Sequence, residues 1–531
     1  MRRTVVVLLL LNLLFVAVAW PQAWGGRLPL FAAEALLLTG LFLLLPAGAW
    51  RAVPAYLIGV LYVVAALIAG FDILVRTSLG RALNLYLDFP LLRSAYDLSL
   101  TNLGVVATVL IALGGALAIS GLTFMLGRLL AGLHARSGTA RWAGSGLLAL
   151  GLIAAGAADA GRGPVAAEGI STLHDQWRQA QQTRQEQREF ARTLATEAAR
   201  AEPTALPGLA GRDVYLVFVE SYGMEAIVDP EYAPAIRSLL AAIEQQLDGT
   251  GMQALTGRLI APIQGGQSWL AHGTLLSGEW LPNQVLYETM LDSSKPTLVT
   301  DFSATGHQTH AVMPANTRDW PVADQYGFDG IHDARTMGYA GPAMNFFTMP
   351  DQYTLSWLYH GLRQEAEGPL FAEVALISSH APWVPVIPIV DWDQVDDGQL
   401  FHQHANSHPS PDEVFQDNAQ VREYYLDSIE YSLQVVADYA ERYLPEDALL
   451  IAIGDHEAPP IVTSTEVNRA VPVHLISQDE DLLDAWVHWL QADAFAQTLV
   501  DGFWPGTEQA PAAPGMDAFR QSLHRVYGDS D

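Results

Sequence analysis

The stretch Asp213-Val214-Tyr215-Leu216-Val217-Phe218-Val219-Glu220-Ser221-Tyr222-Gly223 decides the fold of the longer part of this chain. Val214 to Val219 is an unbroken apolar run, rich in β-branched and aromatic residues. A strand buried on both faces reads this way. Runs of the same kind recur at Phe371–Ile377, Ala448–Ile453 and Ala470–Ile476, with helical stretches between them at Pro234–Gln246 and Val421–Tyr443. Buried strands alternating with helices predict an α/β domain with a mostly parallel sheet sandwiched by helices. In such a fold ligands bind at the carboxyl ends of the strands, so the residues just past each run are the ones to read for chemistry.

Two runs end on ligand-type groups, the first on Glu220 and the run at Ala448 on Gly454-Asp455-His456-Glu457. Glu220, Asp455 and His456 together offer carboxylate oxygens and one imidazole. That set suits one divalent metal ion, Mn²⁺ or Zn²⁺ ahead of Mg²⁺. Singly, each has a plainer role, because a Glu after a strand caps or pairs and Asp-His pairs arise by chance. A third segment, Gly265-Gly266-Gln267-Ser268-Trp269-Leu270-Ala271-His272, carries Ser268 to a predicted helix start. There, free N–H groups and the helix dipole favour an anionic ester and an ionised alkoxide. Serine is equally a favoured N-cap, and the segment alone leaves both readings open. His332, His402, His404 and His474 fit surface or capping roles and stay outside the metal set.

Upstream of this domain the composition changes. Half of the 531 residues are hydrophobic and 16% are charged, and the apolar residues cluster at the front. Five apolar runs, Thr4–Trp20, Leu28–Trp50, Val53–Phe71, Gly104–Gly127 and Trp142–Ala158, approach the roughly 20 residues that cross a bilayer as helix. The last is rich in Gly and Ala, which suits close packing of helices. If every run crosses, Arg2, Arg3, Arg51, Arg128, Arg136 and Arg141 share one side, which is then cytoplasmic. Arg27, Arg76, Arg81 and Arg93 fall on the other side. Five crossings from a cytoplasmic start put everything after about Asp159 outside. Ala17-Val18-Ala19 also resembles a signal-cleavage site, and cleavage there leaves the final domain on the same side.

The expected organisation is a transmembrane domain over 1–160, a helical connector over 161–211, a catalytic domain over 212–500 and a tail over 501–531. The formal charge of −29 argues against nucleic acid as a partner, and the absence of cysteine excludes disulfides, thiolate metal sites and a cysteine nucleophile.

Five short motifs, in order, carry a family resemblance. Glu220-Ser221-Tyr222 after its strand resembles the opening metal motif of the lipoteichoic acid synthases and related phosphoglycerol transferases, members of the alkaline phosphatase/sulfatase superfamily. Ser268 to Gly278 resembles the sulfatase nucleophile signature, with Ser268 at the nucleophile position and Leu275-Leu276-Ser277-Gly278 at its end. Asn316-Thr317-Arg318-Asp319, followed by Tyr326-Gly327-Phe328-Asp329, resembles the segment whose Arg helps bind phosphoglycerol. Ser379-His380-Ala381-Pro382-Trp383 resembles the motif whose His lies by the phosphate, and Gly454-Asp455-His456 resembles the second metal motif. The departures are specific. Leu270 and His272 stand where sulfatases need Pro and Arg to make formylglycine, so Ser268 is expected to stay serine. The transferases generally carry Thr at that position. Ser221 stands where sulfatases have a second acid, which favours a single metal.

The resemblance implies double displacement. Glu220, Asp455, His456 and Ser268 hold the metal, Ser268 attacks phosphorus, and Arg318 and His380 bind the non-bridging oxygens. His272, one helical turn from Ser268, takes the place of the missing Arg or protonates the leaving group, or else simply packs. Trp269, Trp320 and Trp383 form an apolar wall for the substrate or belong to the core. The expected activity is transfer of phosphoglycerol or phosphoethanolamine from a membrane phospholipid to an envelope glycan or lipid. The expected location is a multi-pass inner membrane protein with an extracytoplasmic, periplasmic catalytic domain. The competing readings are a membrane-anchored sulfatase-like hydrolase and a non-catalytic binding module keeping the fold.

Overall fold

The structure is a computed structural model. It describes residues 2–19, 31–89, 91–135, 137–159, 165–166, 168–199, 201–345, 347–405, 408–463, 468–488, 493–503 and 512–528. Arg27, Arg136 and the patch at Pro511 lie outside the described residues. The chain divides into one unit of Met1–Thr77 with Arg81–Glu186 and another of Ser78–Gly80 with Gln187–Asp531.

The first unit is helical, with α1 (Arg2–Ala19), α2 (Ala33–Leu44), α3 (Ala52–Leu79), α4 (Leu91–Ala131) and α5 (Gly138–Asp159). Three segments are long and apolar enough to cross a membrane, Ala49–Leu79, Leu103–Ala131 and Gly138–Ala157. They contain the third and fourth runs of the sequence and all but the last residue of the fifth. The first two runs give shorter apolar helices among the described residues, Thr4–Leu14 and Ala33–Leu44. The second stops where it does because Leu45 precedes Pro46 and takes an extended backbone, φ −62° and ψ 140°, as a residue before proline does. Close packing inside the unit depends on small residues. A Cβ on Gly40 of α2 would lie 2.7 Å from the Leu148 backbone N of α5, and one on Gly151 would lie 2.7 Å from the Leu37 side chain. The Gly- and Ala-rich fifth run therefore packs as its composition predicts.

Among the described residues the second unit is built on eight strands: β1 (Val214–Val219), β2 (Gln253–Ile260), β3 (Gln308–Met313), β4 (Gly330–Asp333), β5 (Leu370–Ala375), β6 (Leu449–Gly454), β7 (Ala470–Ser477) and β8 (Val500–Asp501). Helix α6 (Glu168–Ala198) leads into the unit. Its principal helices are α7 (Ala233–Asp248), α8 (Ser268–Ser277), α9 (Leu298–Thr305), α10 (Asp351–Trp357), α11 (Asn418–Tyr443) and α12 (Ala518–Tyr527). The sheet order is β8-β2-β7-β6-β1-β5-β3-β4. Strands β6, β1, β5, β3 and β4 run parallel, while β7 is antiparallel to β6 and to β2. Two reversals bring β2 back to the direction of β1, so six strands end on the same edge.

Alternation along β1 separates two cores. Tyr215, Val217 and Val219 face a layer that includes α7 and α11, while Val214, Leu216 and Phe218 face a layer that includes α8, α9 and α12. Both faces of β1 are covered, and for this reason its run lacks polar alternation. The stretch after 501, unassigned from sequence, contributes Met516, Phe519, Leu523 and Tyr527 to the second layer.

Candidate active site

The loops that leave β1, β2, β5 and β6 meet at the shared carboxyl edge. Glu220 follows β1 directly. Asp455 and His456 follow β6, and the Asp455 backbone N donates to the Val219 carbonyl at 3.3 Å, which keeps the two strand ends together. Ser221 turns the chain at once with φ +58°, and its N–H donates to Asp455 Oδ1 at 2.8 Å. Behind the turn, Ser379 Oγ donates to the Glu220 carbonyl at 2.6 Å and Tyr425 OH to the Ser221 carbonyl at 3.1 Å.

Ser268 arrives from β2. The connecting loop is tied to the β6 loop by the Gly265 N–H, which donates to the Glu457 carbonyl at 2.8 Å. Left-handed Gln267, φ +68°, then opens α8 with Ser268 as its first residue. The Ser268 hydroxyl donates to Glu220 Oε2 at 2.9 Å and lies 3.2 Å from His456 Nε2. His456 Nδ1 sits 3.0 Å from the Glu457 carbonyl. A carbonyl only accepts, so Nδ1 carries a proton and Nε2 is the nitrogen turned to the cluster. Glu457 is itself buried. It accepts from the Glu225 and Ala458 N–H groups at 2.9 and 3.1 Å, and burial pushes its carboxyl up to about 8. Gly223 has to be glycine here, because a Cβ would stand 2.1 Å from the Glu457 carboxyl carbon.

Glu220, Asp455 and His456 are all buried, and one ligand atom from each lies within 4.8 Å of the others. Among the described residues this is the one cluster of its kind. Its electrostatics are those of two carboxylates competing for one cation. Burial would raise the Glu220 carboxyl, but the charge of His456, with His380 adding to it, brings it well below the usual range. Burial and the Glu220 charge push Asp455 the opposite way. His456 would be lowered by burial, yet Asp455 and Glu220 raise it to about 9. A buried pair of carboxylates with one imidazole nitrogen free of backbone commitments fits a divalent cation by donor type, by number and by the charge it lacks.

The other candidates are placed differently. His380 is exposed on the loop after β5. That loop is fixed by the buried Asp351, whose Oδ1 accepts from the Ile377 and Ser378 N–H groups at 2.8 and 2.9 Å and whose Oδ2 accepts from Ser432 Oγ at 2.7 Å. Arg318 is exposed on the loop after β3, at the same edge. Trp383 is 1% exposed; it stacks on Phe415 with ring centroids 6.2 Å apart and meets Tyr425 edge-on at 5.7 Å. Its burial does not support a wall facing substrate; it supports the His380 loop from beneath. Trp269 is 41% exposed beside Ser268, and Trp320 packs against the core. His474 is bonded to Tyr222 and Thr256, and burial pushes it down to about 3.

Sequence reading passed over Asp351 and Glu373, and quoted Ser379 in its motif without a role. Glu373 lies inside the apolar run of β5, and its Oε1 is 2.8 Å from His272 Nδ1. A lone charge in a strand buried on both faces was the available signal.

No family model and no curated protein matches the chain. Among solved structures, it is similar to the lipoteichoic acid synthase LtaP from Listeria monocytogenes, with 12% identity and a TM-score of 0.41 over 64% of this chain and 78% of that one. It is also similar to the C-terminal periplasmic domain of EptC from Escherichia coli, with 14% identity and a TM-score of 0.38 over 62% and 86%. A third is the Streptococcus pyogenes phosphoglycerol transferase GacH in complex with sn-glycerol-1-phosphate, with 13% identity and a TM-score of 0.35 over 65% and 90%. At these identities and superpositions the likeness assigns no reaction.

Proposed function

We propose that the chain is a membrane-anchored, divalent-metal-dependent enzyme of the alkaline phosphatase/sulfatase kind that transfers a phosphoglycerol or phosphoethanolamine group from a phospholipid to an envelope glycan or lipid. One observation carries this reading. The Ser268 hydroxyl, at a helix start, sits 2.9 Å from Glu220 and 3.2 Å from His456 inside the only three-ligand cluster among the described residues. The order of the sequence motifs supports it.

Glu220, Asp455, His456 and Ser268 would hold the cation, Mn²⁺ or Zn²⁺ by donor type. When bound, it supplies the positive charge that lets a serine hydroxyl ionise near neutral pH and that draws electrons from the phosphoryl group. The N-terminus of α8 favours negative charge on Ser268 Oγ. Ser268 attacks phosphorus and the lipid alcohol leaves. His380 and Arg318 neutralise the non-bridging oxygens, from loops that end on the same sheet edge. An acceptor hydroxyl then displaces Ser268. Three membrane-length apolar helices in the same chain confine the enzyme to the surface that holds its donor, which raises effective concentration. The orientation with the catalytic unit outside the cytoplasm belongs to the same proposal.

The test is incubation of the purified full chain with head-group-labelled phosphatidylglycerol or phosphatidylethanolamine, with and without a glycan acceptor, beside Ser268→Ala. Acceptor-dependent label transfer, lost in the variant, is the expected result. Free head group with no acceptor product turns the reading to a hydrolase. Arylsulfate turnover without phosphodiester turnover overturns it.

A further inference from the structure

His272 and Glu373 form a pair that metal binding and oxyanion neutralisation leave unused. His272 Nδ1 is 2.8 Å from Glu373 Oε1. Its ring stacks on Phe218, centroid to centroid 3.7 Å and 15° from parallel, two residues before Glu220 on β1. Glu373 is 1% exposed in the middle of β5, and its Oε2 has no hydrogen-bond partner among the described residues. Around it stand the aromatic side chains of Tyr287 and Tyr326, which crowd the site so closely that a Cβ on Gly273 would lie 2.8 Å from each. A buried carboxylate is costly unless something opposes its charge, and His272 is the group bonded to it. A carboxylate only accepts, so Nδ1 holds a proton and the tautomer is fixed. Nε2 has no partner among the described residues, and the imidazole lies one helical turn from Ser268 on the same helix.

We infer that Glu373 is a positioning residue that holds His272 as the acid and base of the transfer, with Nε2 serving the oxygen that leaves phosphorus and then the oxygen that arrives. The inference rests on the phosphotransfer reading above. In the first half, the Ser268 Oγ–P bond forms and the P–O bond to the lipid alcohol breaks, and the proton on His272 Nε2 passes to that alcohol oxygen. Ser268 enters as alkoxide, its own proton already lost to solvent. In the second half the acceptor O–P bond forms, the Oγ–P bond breaks, and Nε2 takes the acceptor's hydroxyl proton. Glu373 stays ionised throughout and keeps Nδ1 protonated. A well-placed acid contributes about 10²–10⁴-fold when the leaving group is a poor one and little when it is a good one.

The experiment compares the full chain with Glu373→Gln and His272→Asn on two phosphodiesters of the same head group. Phosphatidylglycerol has a poor alkoxide leaving group, and the p-nitrophenyl ester of glycerol phosphate has a good one. Thermal unfolding and bound-metal content are measured on every variant. Both variants are expected to lower kcat on phosphatidylglycerol by about 10²-fold or more. On the p-nitrophenyl ester the burst of p-nitrophenol, which reports the first half alone, is expected to stay within about threefold of wild type, with metal content unchanged, while steady-state turnover falls because Nε2 still has to take the acceptor's proton. An equal loss of the first-half rate on both esters, or loss of metal, makes the pair a structural brace and overturns the inference. No loss on either ester overturns it as well. Wild-type protein inert on both esters is a different failure: it removes the phosphotransfer reading, and this inference falls with it.

Discussion

Asp301 on α9 is fully buried and bonded on every side. Its carboxylate accepts from Arg520 Nε at 2.7 Å, Arg520 Nη2 at 3.0 Å and the Thr204 N–H at 2.9 Å, and His524 Nε2 lies 2.8 Å away. Arg520 also reaches the Ser277 carbonyl at 3.3 Å, the last turn of the helix that Ser268 begins. Helix α12 is thereby locked to α8. Asp301→Ala leaves a guanidinium that is 9% exposed without its counter-charge, and removing one partner of a buried pair costs about 3–5 kcal/mol. A unit of roughly 350 residues unfolds with an entropy of about 0.7 kcal/mol/K, so its melting temperature should fall by about 4–7 °C. Acidity gives a second handle. Burial alone would raise the Asp301 carboxyl, but the bonds from His524 and Arg520 hold it below its ordinary value. A depressed folded pKa gives stability that is complete above the unfolded carboxyl's pKa, about 3.9, and is lost as pH falls through the folded one. The gap between wild type and Asp301→Ala should therefore be constant from about pH 5 to 7 and close below about pH 4. Tryptophan fluorescence during thermal unfolding of the detergent-solubilised chain reads both effects. A shift under 1 °C, or a gap indifferent to acid, would mean that the Asp301 carboxylate does not hold Arg520 in place.

Gly223→Ala forces a methyl against the Glu457 carboxyl and should cost about 1–3 kcal/mol, seen as a lower melting temperature; a melting curve that superposes on wild type contradicts the close approach. Asp351→Ala strands three buried donors, each worth about 1–3 kcal/mol, and loosens the loop of His380. Asp351→Asn keeps the oxygen that serves Ile377 and Ser378. Alanine should lower both melting temperature and head-group transfer, with asparagine near wild type in both, and equal losses would show that the acceptor oxygen is not what matters.

Much of the site was legible because its chemistry sits where buried strands stop. The apolar runs of β1 and β6 end on Glu220 and on Asp455-His456, and a parallel sheet brings such ends to one edge. Strands β2, β3 and β4 were not legible. Gln253–Ile260 mixes Thr, Gly and Arg with its apolar residues, and β4 is four residues long. Yet β2 is what delivers Ser268, and only the sheet order shows that it points the same way as β1. Glu373 was hidden by its surroundings, since an apolar run reads as core whatever single charge it holds. For Trp383 the sequence left a substrate wall and the core both open, and its 1% exposure shows it packed within the first core layer. In the first unit hydrophobicity located the helices, but Pro46 sets where the second one ends.

All of the proposed chemistry depends on Glu220, Asp455 and His456 binding one cation beside the Ser268 hydroxyl. Elemental analysis of the purified full chain, dialysed against metal-free buffer, tests it most directly, with Asp455→Ala and His456→Ala in parallel. One Mn or Zn per wild-type chain and almost none in either variant is the predicted result. Wild type without stoichiometric metal, or variants that keep the full complement, would mean that these three side chains do not form a metal site.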